Sequence, residues 1–359
     1  MVTTLPGSAS GPTVPPLVLP ANQPRRFYAG GNRIASWRDD HTRVDHAPED
    51  WVASTTTLFG AETAGLSVLP DGRTLREAIA ADPVAFLGPR HAGAFGPDLG
   101  MLVKLLDAEQ RLPVHVHPDR RFAAAHLGCA YGKTEAWFVV DAAGDDPAVY
   151  LGLREGVTRE QLERWVRDQD AEAMLDALHR LTVRPGDTAL VPAGTPHAIG
   201  SGVFVVELQE PTDLSVLLEW RSLADVEESA ASLGMNWPTA LECVHTDATS
   251  AAELEELRSS RSSSGGVTPL FPMAADRFFR ADLVHATREL AFRKELSLLV
   301  VLEGDGELAG DFGAPLVLRP GATVLVPWAA GETTVRGDVT LLRCRPPETA
   351  PEPVGREVS

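Results

Sequence analysis

Residues 112–119 read LPVHVHPD. The spacing predicts a strand on which His115 and His117, two positions apart, point to the same face, and Pro118 closes it. Two imidazoles side by side can hold one ion, although a His-x-His pair on its own more often marks a plain surface strand. The flanking chain decides between the two. GKTEAWFVVDA at 132–142 sets Glu135 at the head of an apolar strand. VRPGDTALVPAGTPHAIGSG at 183–202 then carries His197 on a hairpin return, after Gly186, Pro192 and Gly194. His115, His117, Glu135 and His197 together form a set of three imidazoles and a carboxylate. Such a set suits Zn, Fe, Mn, Co or Ni and leaves positions open for water or substrate.

Outward from these landmarks the chain reads as short strands separated by turn residues, the signature of a barrel or sandwich. MLVKLL at 101–106 is a continuous apolar run broken only by Lys104, as in a buried strand. Residues 25–54 read as loops and short strands. Helices are expected at 74–88 (TLREAIAADPVAFLG, interrupted at its proline), at 158–180 behind a Thr158 cap, and in part of 222–262. SSRSSSGG at 259–266 reads as a linker. Beyond it LRPGATVLVPWAAGETTV at 318–335 echoes VRPGDTALVPAGTPHAI at 183–199, with Glu332 where the first copy has His197. The expected architecture is mainly β with helical insertions: two related β-barrels, the second degenerate and without ligands. The expected layout is a disordered tail over 1–24, a metal-binding domain over 25–220, a helical segment and linker over 221–265, a second domain over 266–347, and a loose tail over 348–359.

Composition narrows the partners. The net charge of −18 comes without any run of Lys or Arg, which argues against nucleic acid and anionic membrane and leaves a small polar molecule. The three cysteines, Cys129, Cys243 and Cys344, are far apart and make neither a disulfide framework nor a thiolate site. No stretch reads as a signal peptide or a membrane span, so a cytoplasmic location is expected. Oligomeric state is left open. Of 32 basic residues only Lys104, Lys133 and Lys294 are lysines. Two of these three flank the ligand set, so they read as residues needed as lysine. His126 and His179 read as structural, and Trp51, Trp137 and Trp220 as core.

The combined pattern resembles the cupin motifs and, more closely, the class I (cupin-type) mannose-6-phosphate isomerases. PEDWVAS (48–54), LVKLLDA (102–108), LPVHVHPD, GKTEAWFVVDA and VPAGTPHAIGSG (191–202) are each similar to a segment of that family, and the likeness runs through nearly the whole chain. The resemblance implies one divalent ion, zinc, on His115, His117, Glu135 and His197. It also implies Lys104 and Lys133 in the substrate pocket and interconversion of an aldose and a ketose, as sugar or sugar phosphate, through an enediolate. Lys133 and Glu219 are the candidate proton-transfer residues. The chain departs from the family at three places: Pro113 replaces a serine that contacts phosphate, His115 replaces a glutamine ligand, and Leu217 falls where the family has an arginine, with Arg221 nearby but out of register. It therefore reads as a divergent member. These departures keep open a second reading, a metal cupin that binds a sugar without turnover. A third, an iron dioxygenase, is disfavoured by GKTE.

Overall fold

The computed structural model describes residues 14–39, 46–223, 225–260 and 265–350. Its strands are antiparallel and form three sheets. The first sheet orders Arg258–Ser260, Asp187–Val191, Glu135–Ala142, Val203–Gln209, Leu102–Ala108 and Glu49–Val52. The second orders Val216–Leu217, His115–Val116, His197–Ile199, Ala148–Leu153 and Leu178–Thr182. These two face each other across Leu106, Trp137, Val139, Leu151, Ile199 and Val205.

The alternate residues of the first sheet point the other way. Val103, Leu105, Phe138, Phe204 and Val206 share one core with Leu283, Leu298, Val300 and Leu342 of the third sheet. That double burial explains why MLVKLL and GVFVVELQ are nearly continuous apolar runs instead of alternating ones. The third sheet, built around the long strands Ser297–Gly310 and Thr333–Arg345, folds over on itself around Val284, Leu299, Leu308, Leu318 and Val335. The echo of 183–199 in 318–335 is therefore structural. In both copies the glycine, Gly186 or Gly321, adopts positive φ (91° and 84°) ahead of a strand. Glu332, opposite His197 in the echo, is exposed.

Several elements differ from the sequence expectation. Part of the expected disordered tail is ordered: Leu17–Val18 pairs with Val324 and Leu325 at the edge of the third sheet. Asn22 donates to the carbonyls of Trp51 and Gly65. Residues 1–13 lie outside the described residues. The expected linker carries strand at both ends, Arg258–Ser260 and Gly266–Pro269, and only 261–264 lie outside the described residues. In the tail expected from 348, Glu348 pairs with Arg280 at 2.9 Å, and 351–359 lie outside the described residues.

The helix expected over 158–180 is two helices, Arg159–Asp168 and Ala171–Asp176, followed by the strand Leu178–Thr182. The break falls at Gln169, in the left-handed region at φ 58°. Its side chain donates to Leu218 O and accepts from the Trp220 and Arg221 amides. The helix over 74–88 splits at Pro83, as its sequence requires, into Leu75–Ala81 and Pro83–Leu87. No helix among the described residues is long and apolar enough to cross a membrane.

Candidate metal centre

His115 and His197 are register partners on neighbouring strands of the second sheet, and His117 follows on the same face as His115. Glu135 enters from the first sheet, opposite Val191 and Gln209. The nitrogens of the three imidazoles lie within 4.8 Å of one another. Each ring is fixed by a main-chain carbonyl 2.8 Å from its Nδ1: Pro113 O for His115, Leu214 O for His117 and Thr195 O for His197. Nδ1 donates these bonds, so each Nε2 keeps its lone pair, the tautomer that a metal ligand needs. Glu135 lies between them, with Oε2 3.0 Å from His117 Nε2 and Oε1 3.3 Å from His197 Nε2. Trp137 Nε1 donates to Glu135 Oε1 at 3.1 Å.

The charge states agree with a cation site. Burial, and then the neighbouring imidazoles, hold His115 well below its ordinary value. Burial followed by Lys133 lowers His117 to about 3. Both rings are therefore neutral at physiological pH. Burial alone would raise Glu135, but the Lys133 ammonium beside it overcomes this and keeps the carboxylate ionised. Glu135 Oε2 and His197 Nε2 are buried with no hydrogen-bond partner. Lone pairs and a carboxylate that converge this closely are costly unless a cation joins them; the Lys133 ammonium touches two of the four groups, and the donor set as a whole fits a divalent ion.

His115 and Glu135 of the centre line a cavity of about 220 Å³. Lys133 reaches it, with Nζ 3.2 Å from Glu135 Oε2 and 3.0 Å from His117 Nε2. Lys104 is buried in a row across the first sheet, with Trp51 on one side and Glu207 on the other. Its Nζ lies 3.3 Å from Glu49, 3.2 Å from Glu207 and 4.9 Å from the centre of the Trp51 ring. Burial opposes its charge, but Glu207 and Glu49 hold its proton more tightly than usual. Trp51 and Trp137 are core residues that also orient these charged groups, while Trp220 is only half-buried, beside Arg221.

Glu219 is placed differently from the sequence expectation. It accepts from both Nη atoms of Arg111, at 2.8 and 2.6 Å, and from the Val114 amide, and it does not line the cavity. An acid fully engaged at the end of its strand has no free oxygen to offer a substrate. His126 ends the helix Arg120–His126, and His179 sits on a strand with its Nε2 against Thr249 O. Neither joins the centre.

The structure adds residues that sequence reasoning passed over. Glu207 lines the cavity and takes protons more readily than an ordinary carboxylate, first through burial and then through Glu135. Its signal was available, since it is the one charge in GVFVVELQ, as Lys104 is in MLVKLL. Arg26, Tyr28, Glu49 and Asp213 also line the wall. Glu49 stands in PEDWVAS, while Arg26, Tyr28 and Asp213 come from loops in which no local signal marks them.

A family model described as phosphomannose isomerase type I, catalytic domain, matches residues 47–136. The mannose-6-phosphate isomerase ManA of Bacillus subtilis (strain 168) is 28% identical over 288 residues, 78% of this chain and 85% of that protein. A crystal structure of the mannose 6-phosphate isomerase from Bacillus subtilis superposes with a TM-score of 0.72 at 22% identity, covering 92% of this chain and all 100% of that one. A mannose 6-phosphate isomerase structure described as bound with zinc and yttrium superposes at a TM-score of 0.69 and 18% identity, over 92% of this chain and 99% of that one. Taken with the His-x-His strand, the GKTE segment and the shared fold, these likenesses make the chain similar to the class I, cupin-type phosphomannose isomerases over most of its length.

Proposed function

We propose that this chain is a metal-dependent aldose–ketose isomerase acting on mannose 6-phosphate or a related sugar. The observation that carries the reading is the convergence of three Nε2 lone pairs and the Glu135 carboxylate beside a cavity lined by His115, Glu135, Lys133 and Glu207. The proposed ligands are His115, His117, Glu135 and His197. A divalent ion bound there, zinc by analogy with the zinc-bound relative, supplies Lewis acidity toward a sugar carbonyl.

The remaining steps belong to side chains. Isomerisation moves one proton between the first two sugar carbons and one between their oxygens, through an enediolate. Glu207 is the proposed base at carbon, because its raised proton affinity brings it closer to working pH. Lys104 fixes that carboxylate from 3.2 Å. Lys133, beside Glu135, is the proposed donor that stabilises charge on the enediolate oxygen. Leu112, Ile199 and Leu217 line the cavity with apolar surface, which limits water at the reacting carbons.

The test follows ketose formation by metal-loaded protein given mannose 6-phosphate, mannose and other aldoses, alongside metal content in His197→Ala. Ketose formation and loss of retained metal in the variant are expected. Unchanged metal content would remove the site. Tight sugar binding without ketose from any sugar would replace the isomerase with a sugar-binding metal cupin.

A further inference from the structure

Lys294, the third of the chain's scarce lysines, lies away from the metal centre. It lines a second cavity, of about 310 Å³, between the helices Pro83–Leu87 and Pro89–Phe95 and the third sheet. We propose that this cleft binds a compact polyanion, a small molecule carrying phosphate or clustered carboxylate groups. The inference stands apart from the isomerase reading and uses none of that site's residues.

The wall of the cleft is preformed. Gly88, at φ 84° between the two helices, abuts the Trp328 indole so closely that a Cβ there would lie 2.6 Å from the ring. Lys294 Nζ stands 3.4 Å from the centre of the same ring. That cation–π contact positions an exposed ammonium at the cleft without spending its charge on a carboxylate.

Charge is what marks the cleft. Arg90, Arg280 and Arg293 join Lys294 on the lining, against two carboxylates, Glu295 and Glu348. Both carboxylates are shared out among several cations. Glu295 lies 3.0 Å from Arg280, 3.0 Å from Arg343, 3.7 Å from Arg345 and 3.8 Å from Arg293. Glu348 lies 2.9 Å from Arg280 and 3.8 Å from Arg90. Behind the cleft, Asp282 is divided between Arg343 and Arg345. Six cations therefore meet three carboxylates here, in a chain whose net charge is −18. The surplus shows at the inner arginines. Burial, and then Arg345, loosen the hold of Arg343 on its proton, and Arg345 Nε is buried without a hydrogen-bond partner.

An anion would supply the missing negative charge. Guanidinium forks match the paired oxygens of phosphate and carboxylate, and Arg280 and Arg293 present two such forks beside the Lys294 ammonium. The volume is at the low end of small-molecule sites, ~300–1,000 Å³. The acidic charge of the rest of the chain repels an extended polyanion, so the fitting ligand is compact. Glu348, half exposed and near the end of the described chain, is the carboxylate that such a ligand would compete with for Arg90 and Arg280.

Calorimetry on the metal-loaded protein, with inorganic phosphate and with succinate, tests the proposal and separates phosphate from carboxylate ligands. Saturable binding of at least one probe is expected, weakening as salt rises, together with a higher unfolding midpoint in its presence. Arg293→Glu and Lys294→Glu, both at exposed positions, are each expected to keep their metal. Each should weaken the binding by at least about tenfold, the scale of one lost hydrogen bond between charged groups, and should lose the shift in midpoint. If either reversal disturbs metal retention, Arg90→Glu on the opposite wall reads the same loss. Glu348→Gln is expected to tighten binding several-fold. No saturable binding of either probe overturns the proposal. So does binding that the charge reversals leave unchanged, since it then belongs to the metal-bearing cavity. Binding that Glu348→Gln weakens or leaves unchanged overturns the charge account on which the proposal stands.

Discussion

His115, His117 and His197 each spend their one ring hydrogen on a carbonyl 2.8 Å away, which turns three side chains into three aimed lone pairs. Glu135 was legible with them because the turn residues around it leave a recognisable spacing. The two acids nearest the chemistry were harder to separate. Glu219 stood near a motif yet is held by Arg111, while Glu207 stands in an apolar run and faces the cavity. Glu207→Gln is therefore expected to lower kcat by at least about a hundredfold, the usual scale of a lost general base, with metal content unchanged. Glu219→Gln is expected to keep near wild-type turnover and to lower the unfolding midpoint slightly, the pair being worth ~1 kcal/mol or less with Arg111 part-exposed. Steady-state kinetics on both variants decides the assignment. Glu49 carries a pH prediction. Burial works against its charge, but Arg26 and Lys104 overcome this and hold it well below 4.5. A carboxylate with a depressed native pKa binds more protons unfolded than folded, so its contribution is present above 4.5 and lost as pH falls below that value. Urea melts across that range should show stability falling toward acid, and Glu49→Gln should flatten that fall even though it is less stable at neutral pH.

At the scale of elements, local signals were legible where they are local in cause. Thr158 and Gln161 cap each other reciprocally, as do Thr74 and Glu77, and both helix starts follow from adjacent residues. The end of the first of these helices does not, because Gln169 breaks it through partners some fifty residues later: its amide and carbonyl pair with Leu218, Trp220 and Arg221. That side chain ties the helix to the segment bearing Leu217, part of the cavity wall. Gln169→Ala is expected to cost ~1–3 kcal/mol, the penalty for leaving such groups unpaired, read as a lower urea midpoint with an unchanged slope. Lys104 and Glu207 give the same lesson for strands. A lone charge in an apolar run flags a buried ion pair, but only the register, Lys104 opposite Glu207, shows which charge it meets.

At the scale of the molecule, the repeat of Arg-Pro-Gly announced two related β-units, and the sequence gives no comparable sign of how closely they depend on each other. The first sheet is covered on both faces. Its outer face, Val103, Leu105, Phe138, Phe204 and Val206, is buried against Leu283, Leu298, Val300 and Leu342 of the third sheet, and residues Leu17–Val18 of the N-terminal segment add a strand to that third sheet. Each buried aliphatic or aromatic side chain is worth ~1.5–3 kcal/mol, and a whole domain is stable by only ~5–15 kcal/mol. Exposing five of them at once would remove most or all of that margin. A chain ending at residue 265 keeps the four proposed metal ligands but uncovers this face. It is expected to aggregate or to elute as a swollen species that binds a hydrophobic dye, and to retain little metal. The milder Leu298→Ala in the full chain, which leaves the centre's own strands untouched, should cost ~2–5 kcal/mol while preserving metal content below the unfolding transition. A truncated chain that is monomeric, sharply melting and metal-loaded would show instead that the first two sheets stand alone and that the third is an addition to an already stable unit.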